Sequence, residues 1–194
     1  QYKMLLSQSE QLKKVNDNII EMLGTIVEYR NFESRSHIKK ISGFTEILAN
    51  HMMKSYPEYG LTPEKIKVIV ATSVLHDIGK ISIPDSVLNK PMKLTNEEYN
   101  VIKSHAAKGG EILKFITAIP GADLVARHHH ERYDGQGYPS RLSGDEIPEI
   151  ARIIGVADSY DAMASNRSYR MALPQEVVRA EIEKGKNTIL NTNA

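Results

Sequence analysis

Helical periodicity is the sequence feature that most constrains the fold of this chain. Alternation of apolar and polar residues, the mark of a half-buried strand, is nearly missing along its 194 residues. Apolar residues instead recur at helical intervals, while Gly and Pro cluster mainly in one loop, 134–139. The sequence therefore predicts an all-α protein.

Capping signals divide this helical pattern into segments. After a first helix, the predicted helices cover 36–54, 62 to about 79, 95–105 and 148–160. Thr62 stands at a cap position and Pro63 at the first helical position, a pair that is typical of a helix start. Thr95 and Glu98 have the spacing of a capping box, in which the two residues satisfy each other's backbone amides. No internal repeat is found, so we expect one domain.

The first helix carries a narrow apolar stripe. Its members recur at intervals of seven, three and four residues: Leu5, Leu12, Val15, Ile19, Met22 and Ile26. Such a stripe is typical of a signalling helix that joins an upstream domain and pairs with a second copy. It also fits an ordinary first helix that packs on the core. The sequence leaves both interpretations open.

Charge and cysteine content exclude several classes of protein. The 25 Lys and Arg residues balance 24 Asp and Glu residues, so no overall field attracts DNA or an anionic membrane. The apolar stretches fall short of the roughly 20 residues that span a bilayer. Cysteine is absent, so metal ligands must be nitrogen or oxygen atoms, and we expect a cytoplasmic protein. The start at Gln1 favours an excised fragment of a longer protein.

Histidines on separate predicted helices are the main candidates for chemistry. Five of the seven have apolar neighbours that direct them inward: His37, His76, His105, His129 and His130. An isolated inward histidine is more often a hydrogen-bonded core residue than a ligand. Together with the carboxylates of Asp77, Asp158 and Glu33, however, these imidazoles form a nitrogen and oxygen set that suits Fe, Mn, Co, Ni or Zn.

Two short spacings support such a site. Glu33 and His37 are four residues apart and would share one face of a helix, although a surface pair in a loop is the alternative. His76 and Asp77 are adjacent at a predicted helix end, where Asp77 has two oxygens to bridge two cations. Lys80 follows three residues later and would add a positive charge.

Several motifs together resemble a known family, the HD-GYP domains of the HD phosphohydrolase superfamily. The segments are 76–80 (HDIGK), 83–85 (IPD), 90–91 (KP), 105–109 (HAAKG), 129–139 (HHERYDGQGYP), 157–163 (ADSYDAM) and 167–170 (RSYR). They follow the family's order and spacing over residues 28–182. The resemblance implies a helical HD-domain bundle with a central metal site of two or three ions. It divides the chain into an N-terminal helix (1–27), a catalytic domain (28–186) and a polar tail (187–194).

The resemblance also assigns roles to individual residues. The implied metal ligands are His37, His76, Asp77, His105, His129, His130 and Asp158, with Glu33 matching only members that hold a third ion. Asp77 and Lys80 would act in catalysis, Lys80 on the scissile phosphate. The implied substrate contacts are Gly135, Tyr138, Pro139, Arg167 and Arg170. A solvated helix end is the alternative for the two arginines. His128 could protonate the leaving group, but it is interpreted as a surface residue.

The implied activity is hydrolysis of a cyclic dinucleotide in bacterial second-messenger signalling. Cyclic di-GMP would be converted to linear pGpG, GMP or both by Fe or Mn ions, with Ni, Co or Zn as alternatives. Partners would be an upstream sensor or receiver domain, a signalling protein docking at the 137–139 motif, and a second copy through the first helix. The alternatives are a catalytically silent dinucleotide sensor and a hydrolase of another nucleotide.

This chain departs from the family pattern in two places. The segment 30–36 lacks the Asp, Thr and Gly residues that are usual before the first ligand. After Ile182 the chain lacks the usual Asp-Pro element and final helix, so we expect a terminal helix to be missing.

Overall fold

A computed structural model describes residues 2–30, 36–116, 118–166 and 171–185. Within these ranges the chain forms helices and no strand, so the all-α prediction is confirmed. The helices are α1 (Tyr2–Arg30), α2 (His37–Ser55), α3 (Pro63–Ser73), α4 (Asp85–Leu88), α5 (Asn96–Leu113), α6 (Ala122–His128), α7 (Glu149–Ala164) and α8 (Gln175–Lys184). None of these helices combines the length and apolar character needed to cross a membrane.

Local capping explains where α3 and α5 begin. Thr62 Oγ1 accepts a hydrogen bond from the backbone amide of Lys65 at 3.3 Å, and Pro63 is the first residue of α3. Thr95 and Glu98 form the predicted capping box at the start of α5. Each contact satisfies a backbone amide that the first helical turn leaves without a partner.

The end of α3 differs from the prediction. The helix ends at Ser73 rather than near residue 79, and a 3-10 turn, Ile78–Ser82, follows it. The hydroxyls of Thr72 and Ser73 donate to carbonyls three residues earlier, which weakens the helical ladder there. The backbone then continues with bonds between residues three apart, such as Leu75 to Thr72 at 3.0 Å. The tighter winding directs residues 76 and 77 into the interior.

Two packing interfaces form the core. Helix α2 packs against α3 and α7, and α5 packs against α6 and the Ile78–Ser82 turn. The turn approaches α5 so closely that a Cβ on Gly79 would lie 1.9 Å from the carbonyl oxygen of His105. Only glycine permits this contact. It fixes the 76–80 segment against the helix that carries His105.

The last third of α1 belongs to the domain core. Ile20, Gly24 and Val27 are buried, and Glu28 Oε1 accepts a hydrogen bond from the backbone amide of Ile38 at 2.7 Å. The helix runs without a break through the boundary that was predicted after residue 27. This part of α1 therefore agrees with the interpretation of α1 as a first helix that packs on the core.

Arg30 joins the end of α1 to the turn beside the histidines. Its guanidinium donates to the carbonyl oxygens of residues 80, 81 and 83 at 3.1, 2.5 and 2.6 Å. It also pairs with the Asp85 carboxylate at 2.8 Å. One side chain thus satisfies three carbonyls of an irregular segment.

The other side of α1 keeps its apolar stripe exposed. The side chains concerned are between 44% and 71% exposed: Leu5, Leu12, Val15, Ile19, Met22 and Ile26. Four of them are spaced by seven residues, from Leu5 to Ile26, as in one seam of a coiled coil. We call these six residues the α1 seam. It faces away from the side of α1 that carries the buried residues.

Candidate metal centre

Two groups of potential metal ligands lie side by side in the interior. We call Asp77, His105, His129 and His130 the α5 group, and His37, His76 and Asp158 the α2 group. Within each group the ligand atoms lie within 4.8 Å of one another. The structure therefore brings together all seven of the predicted ligands that fall within its described residues.

The ligands come from five separate parts of the fold. His37 is the first residue of α2, His105 lies in the middle of α5, and Asp158 lies in α7. His129 follows α6 directly, and His130 is the next residue. Residues 76 and 77 occupy the turn after α3. Because the helices converge here, residues far apart in sequence meet at one point.

Asp77 stands between the two groups. Its Oδ1 atom lies 3.2 Å from His105 Nε2 and 3.8 Å from His129 Nε2. Its Oδ2 atom lies 3.3 Å from His76 Nε2. Each oxygen of one carboxylate thus faces a different group, as a bridging ligand requires.

Hydrogen bonds at Nδ1 fix the orientation of four imidazoles. His76, His105 and His129 direct Nδ1 at main-chain carbonyls, with distances of 2.7, 2.7 and 3.0 Å. A carbonyl only accepts, so Nδ1 must carry the proton in each ring. His37 Nδ1 lies 2.7 Å from Asp161 Oδ2. This arrangement leaves Nε2 toward the centre, as metal-ligating histidines require.

Several buried polar atoms at the centre have poor partners within the described residues. His76 Nε2 and Asp77 Oδ1 are buried without a hydrogen bond, which is costly in a protein interior. The Nε2 atoms of His105 and His129 lie 3.4 Å apart, each bearing a lone pair when the ring is neutral. A cation would satisfy all these atoms at once, so the donor set fits divalent metal ions.

Burial and neighbouring charges set the protonation states of the ligands. Burial and the neighbouring His76 lower the pKa of His129 to about 3, so its ring is neutral. Burial alone would lower the pKa of His76, but the Asp77 carboxylate raises it to about 9. Burial would raise the pKa of Asp77, but Lys80 and His76 hold it well below its usual value. Metal binding would therefore release a proton from His76.

Lys80 lies at the edge of the α5 group. Its Nζ atom is 2.7 Å from Asp77 Oδ2, and its side chain is mostly buried. The structure places this ammonium next to the shared carboxylate, where the sequence predicted a positive charge.

Asp161 is a residue that the sequence analysis did not single out. Besides contacting His37, it accepts a hydrogen bond from Ser165 Oγ at 2.6 Å and is 3% exposed. Burial would raise the pKa of Asp161, but its bond to His37 lowers it below the usual value. It lies three residues after Asp158 on α7 and thus shares its face. That spacing was the signal available in the sequence.

The loop 134–139 folds back beside the α5 group. Gly135 has a φ of 72°, and a Cβ on Gly137 would lie 2.3 Å from the backbone nitrogen of Arg132. Both positions therefore need glycine for the loop's own conformation. Tyr138, joined to Pro139 by a cis peptide, has its ring 4.8 Å from that of His130. Contact of these residues with a substrate stays a prediction.

Glu131 binds the backbone at the end of this loop, and sequence reasoning also missed it. Its two oxygens accept hydrogen bonds from the backbone amides of Ser140 and Leu142, at 2.7 and 3.1 Å. His128 Nδ1 lies 3.5 Å from Glu131 Oε1. Interpretation of His128 as a surface residue is wrong, since the residue is only 9% exposed. His128 lies against Glu131 because α6 ends at His128.

Three predicted site residues cannot be placed. Glu33, Arg167 and Arg170 lie outside the described residues. The third-ion ligand and the two arginine contacts remain predictions from the sequence.

Sequence comparison finds relatives for most of the chain. A family model described as an HD domain matches residues 2–188. The chain is 37% identical over 184 residues to a cyclic di-GMP phosphodiesterase of Vibrio cholerae, covering 90% of this chain and 37% of that protein. It is 39% identical over 181 residues to the cyclic di-GMP phosphodiesterase response regulator RpfG of Xanthomonas campestris, covering 91% and 45%. A 3'3'-cGAMP-specific phosphodiesterase 2 of Vibrio cholerae is 37% identical over 180 residues, covering 91% and 33%.

The chain thus spans between a third and a half of the length of these curated relatives. Among solved structures, a cyclic GMP-AMP specific phosphodiesterase of Vibrio cholerae (V-cGAP3) matches with a TM-score of 0.66. The match covers 91% of this chain and 46% of that one, at 15% sequence identity. At this identity the likeness concerns the fold, and it agrees with the helical bundle described above.

Proposed function

Because the chain belongs to the HD domain family, and within it to the HD-GYP type, we propose that it hydrolyses a phosphodiester bond of a cyclic dinucleotide. The observation that carries this proposal is the Asp77 carboxylate shared between two ligand groups. A phosphodiester is anionic and resists attack, so hydrolysis needs concentrated positive charge at one point. The two groups are built to hold that charge.

The chain's own residues would have distinct tasks in the reaction. Divalent ions, held by the α5 and α2 groups, would supply Lewis-acid charge and a nucleophile from water near neutral pH. Asp77 would hold the two positions together. Lys80 would stabilise charge on the nonbridging phosphate oxygens, since its ammonium already lies beside Asp77. With the ions bound, the imidazoles would be neutral, and their Nδ1 bonds would fix their orientation.

Fe or Mn is the metal that we propose, with Ni, Co or Zn as alternatives. Nitrogen and oxygen donors without thiolate accept all of these ions, so the donor set alone does not choose among them. Two ions match the two groups. A third ion would need Glu33, which precedes His37 by four residues.

Cyclic di-GMP is the substrate that we propose, to be converted to pGpG, GMP or both. Relatives of the chain include both cyclic di-GMP and 3'3'-cGAMP phosphodiesterases, so cyclic GMP-AMP is the alternative substrate. Tyr138 would offer its ring to a base, with Gly135 and Pro139 shaping the loop. Arg167 and Arg170 would hold phosphate or a guanine edge.

The division at residues 27 and 186 and the cytoplasmic location stay predictions.

A second copy of this chain is the partner that fits the α1 seam. The seam repeats every seven residues and is exposed along its length. The flanking positions Gln11, Asn16, Asn18 and Thr25 are uncharged, so two identical helices meet without like-charge repulsion. An upstream sensor or receiver domain, and a signalling protein at the 137–139 motif, complete the proposed partners.

Two measurements on one anaerobic preparation test the proposed function. Elemental analysis should give two or three equivalents of Fe or Mn, and chromatography should show loss of cyclic di-GMP with formation of pGpG or GMP. Asp77→Asn should abolish turnover. Metal-loaded wild-type protein that binds cyclic di-GMP without hydrolysing it would instead make the chain a sensor.

Sedimentation tests the proposed dimer separately. Wild-type protein should sediment as a dimer, and Leu12→Glu should convert it to a monomer because a buried seam cannot hold the carboxylate. The control is Lys14→Glu, an exposed change on another side of α1. Monomeric wild-type protein at high concentration would contradict the dimer.

A further inference from the structure

Lys103 is a cation at the edge of the candidate site that neither ligand group uses. Its Nζ atom lies 5.1 Å from the centre of the Tyr99 ring and 5.9 Å from that of Tyr138. Tyr99 and Lys103 are four residues apart on α5, so they share one face of the helix. The ammonium is thus held near two aromatic rings.

Tyr138 connects this ammonium to the α5 group. The Tyr138 ring is 4.8 Å from the ring of His130 and 6.4 Å from that of His105. Lys103 therefore stands one ring away from the ligands, on α5 itself, two residues before His105. This position is beside the α5 group without being part of it.

Among the described residues, no acidic side chain neutralises the charge of Lys103. No carboxylate oxygen of the described chain lies within 4.0 Å of its Nζ atom. Two other lysines near the site differ in this respect. Lys80 pairs with Asp77 at 2.7 Å, and Lys90 contacts both oxygens of Glu98 at 2.7 Å. An ammonium resting on aromatic rings keeps its charge and its hydrogen atoms available for an anionic ligand.

We propose that Lys103 binds the second, non-scissile phosphate of the cyclic dinucleotide and thereby selects substrates with two phosphates. This inference rests on the proposed function. A cyclic dinucleotide carries two phosphates, of which Lys80 and the ligand groups serve only the one that is cleaved. Lysine is a common phosphate ligand and acts as a point charge that tolerates several geometries. Tyr99 and Tyr138 limit where that point charge can lie.

Substrate selectivity is the readout that separates this role from a structural one. The test compares cyclic di-GMP with bis(4-nitrophenyl) phosphate, a simple diester that has one phosphate. Lys103→Met keeps the apolar stem and removes the charge. The ratio of kcat/KM for cyclic di-GMP to kcat/KM for the simple diester should fall by about 10–100-fold, as expected for loss of a charged hydrogen bond. The change should lie mainly in KM, and Lys103→Arg should restore most of the ratio.

Lys108→Met is the matched control. Lys108 lies on the same helix five residues further on, hence on another side of α5, and its replacement removes the same charge. Its ratio should equal that of the wild-type protein. A ratio that is unchanged in Lys103→Met, or that falls equally in Lys108→Met, would overturn the assignment of Lys103.

Failure of the proposed function has a different outcome. Wild-type protein would then cleave the simple diester but not cyclic di-GMP. In that case calorimetry with cyclic di-GMP still tests Lys103, because Lys103→Met must weaken its binding about tenfold or more relative to Lys108→Met. Equal affinities overturn the assignment, and wild-type protein that binds no cyclic di-GMP overturns both proposals.

Discussion

The α5 group and the α2 group hold one of their histidines by different means. In the α5 group, His105 and His129 donate Nδ1 hydrogens to main-chain carbonyls of the helix turn before them. In the α2 group, His76 donates to the Ser73 carbonyl in the same way, but His37 relies on the carboxylate of Asp161. A carbonyl is present whatever the side chain of its residue, whereas the carboxylate exists only in Asp161. His105 and His129 are therefore held by main-chain geometry, whereas one histidine of the α2 group, His37, depends on a particular side chain.

The surroundings of the two groups also differ. The α5 group is backed by the contact between Gly79 and the carbonyl of His105, which allows no added atom. In the α2 group, His37 is the first residue of α2 and has its Nδ1 partner on α7. We expect changes near the α5 group to act through packing, and changes near the α2 group to act through charge and hydrogen bonding.

Asp77→Asn should have the largest effect, because Asp77 is the feature that the groups share. The amide keeps the shape but lacks the negative charge and one of the two acceptor oxygens. We expect turnover of cyclic di-GMP to fall by about 10³-fold or more and metal to be lost from both groups. Elemental analysis and product chromatography measure the two effects. Asp145→Asn, at an exposed position, is the control, and metal loss from one group alone would show that Asp77 is not shared.

Gly79→Ala tests the packing side of the comparison. The added Cβ would meet the His105 carbonyl and force the turn away from α5. We expect a loss of about 3 kcal/mol in the free energy of unfolding, since overpacking a rigid contact is costly. For a chain of this size the midpoint of thermal unfolding should fall by about 6–12 °C. Calorimetric unfolding at the wild-type temperature would contradict the close approach.

Asp161→Ala tests the side-chain support of the α2 group. Removing the acceptor of His37 should weaken metal binding at this group by about 10–100-fold and leave the α5 group unchanged. A competitive metal titration that resolves two equivalents measures both affinities. Ser165→Ala, which removes only the donor to Asp161, should have a smaller effect. Equal weakening of the two equivalents would remove the distinction between the groups.

Gly43→Ala should have the smallest effect and the opposite sign. Gly43 lies inside α2, and a Cβ there would meet nothing within 4 Å. We expect the free energy of unfolding to rise by about 0.5–1 kcal/mol, because alanine is the better helix former. Denaturant unfolding of Gly43→Ala and of Gly79→Ala measures the change. The two variants compare a glycine that packing does not require with one that it does. Destabilisation by Gly43→Ala would show an unseen constraint on α2.

Features that depend on neighbours in sequence were predictable. The capping box of Thr95 and Glu98 needs only a spacing of three residues, and the structure contains it. The inward histidines were predictable because their apolar neighbours fix the buried face of each helix. The family resemblance then supplied the set of ligands that single patterns could not.

Features that depend on contacts between distant residues were not predictable. Asp161 meets His37 across 124 residues of sequence, and Lys103 meets Tyr138 only after the loop folds back. The early end of α3 at Ser73 reflects hydroxyl bonds that compete with the helix ladder, which apolar periodicity does not report. The sequence pattern shows which face a residue occupies, and tertiary packing decides what lies opposite.

The Arg30 contact has a consequence for the order in which the chain folds. Its bonds to the carbonyls of residues 80, 81 and 83 close a loop of at least 50 residues. Closing such a loop costs chain entropy before any contact repays it, so we expect this step to follow formation of the local helix pairs. Substitution of Arg30 should then speed unfolding while leaving the refolding rate almost unchanged. Helix α1, although first in the sequence, would therefore dock on the Ile78–Ser82 turn late in folding.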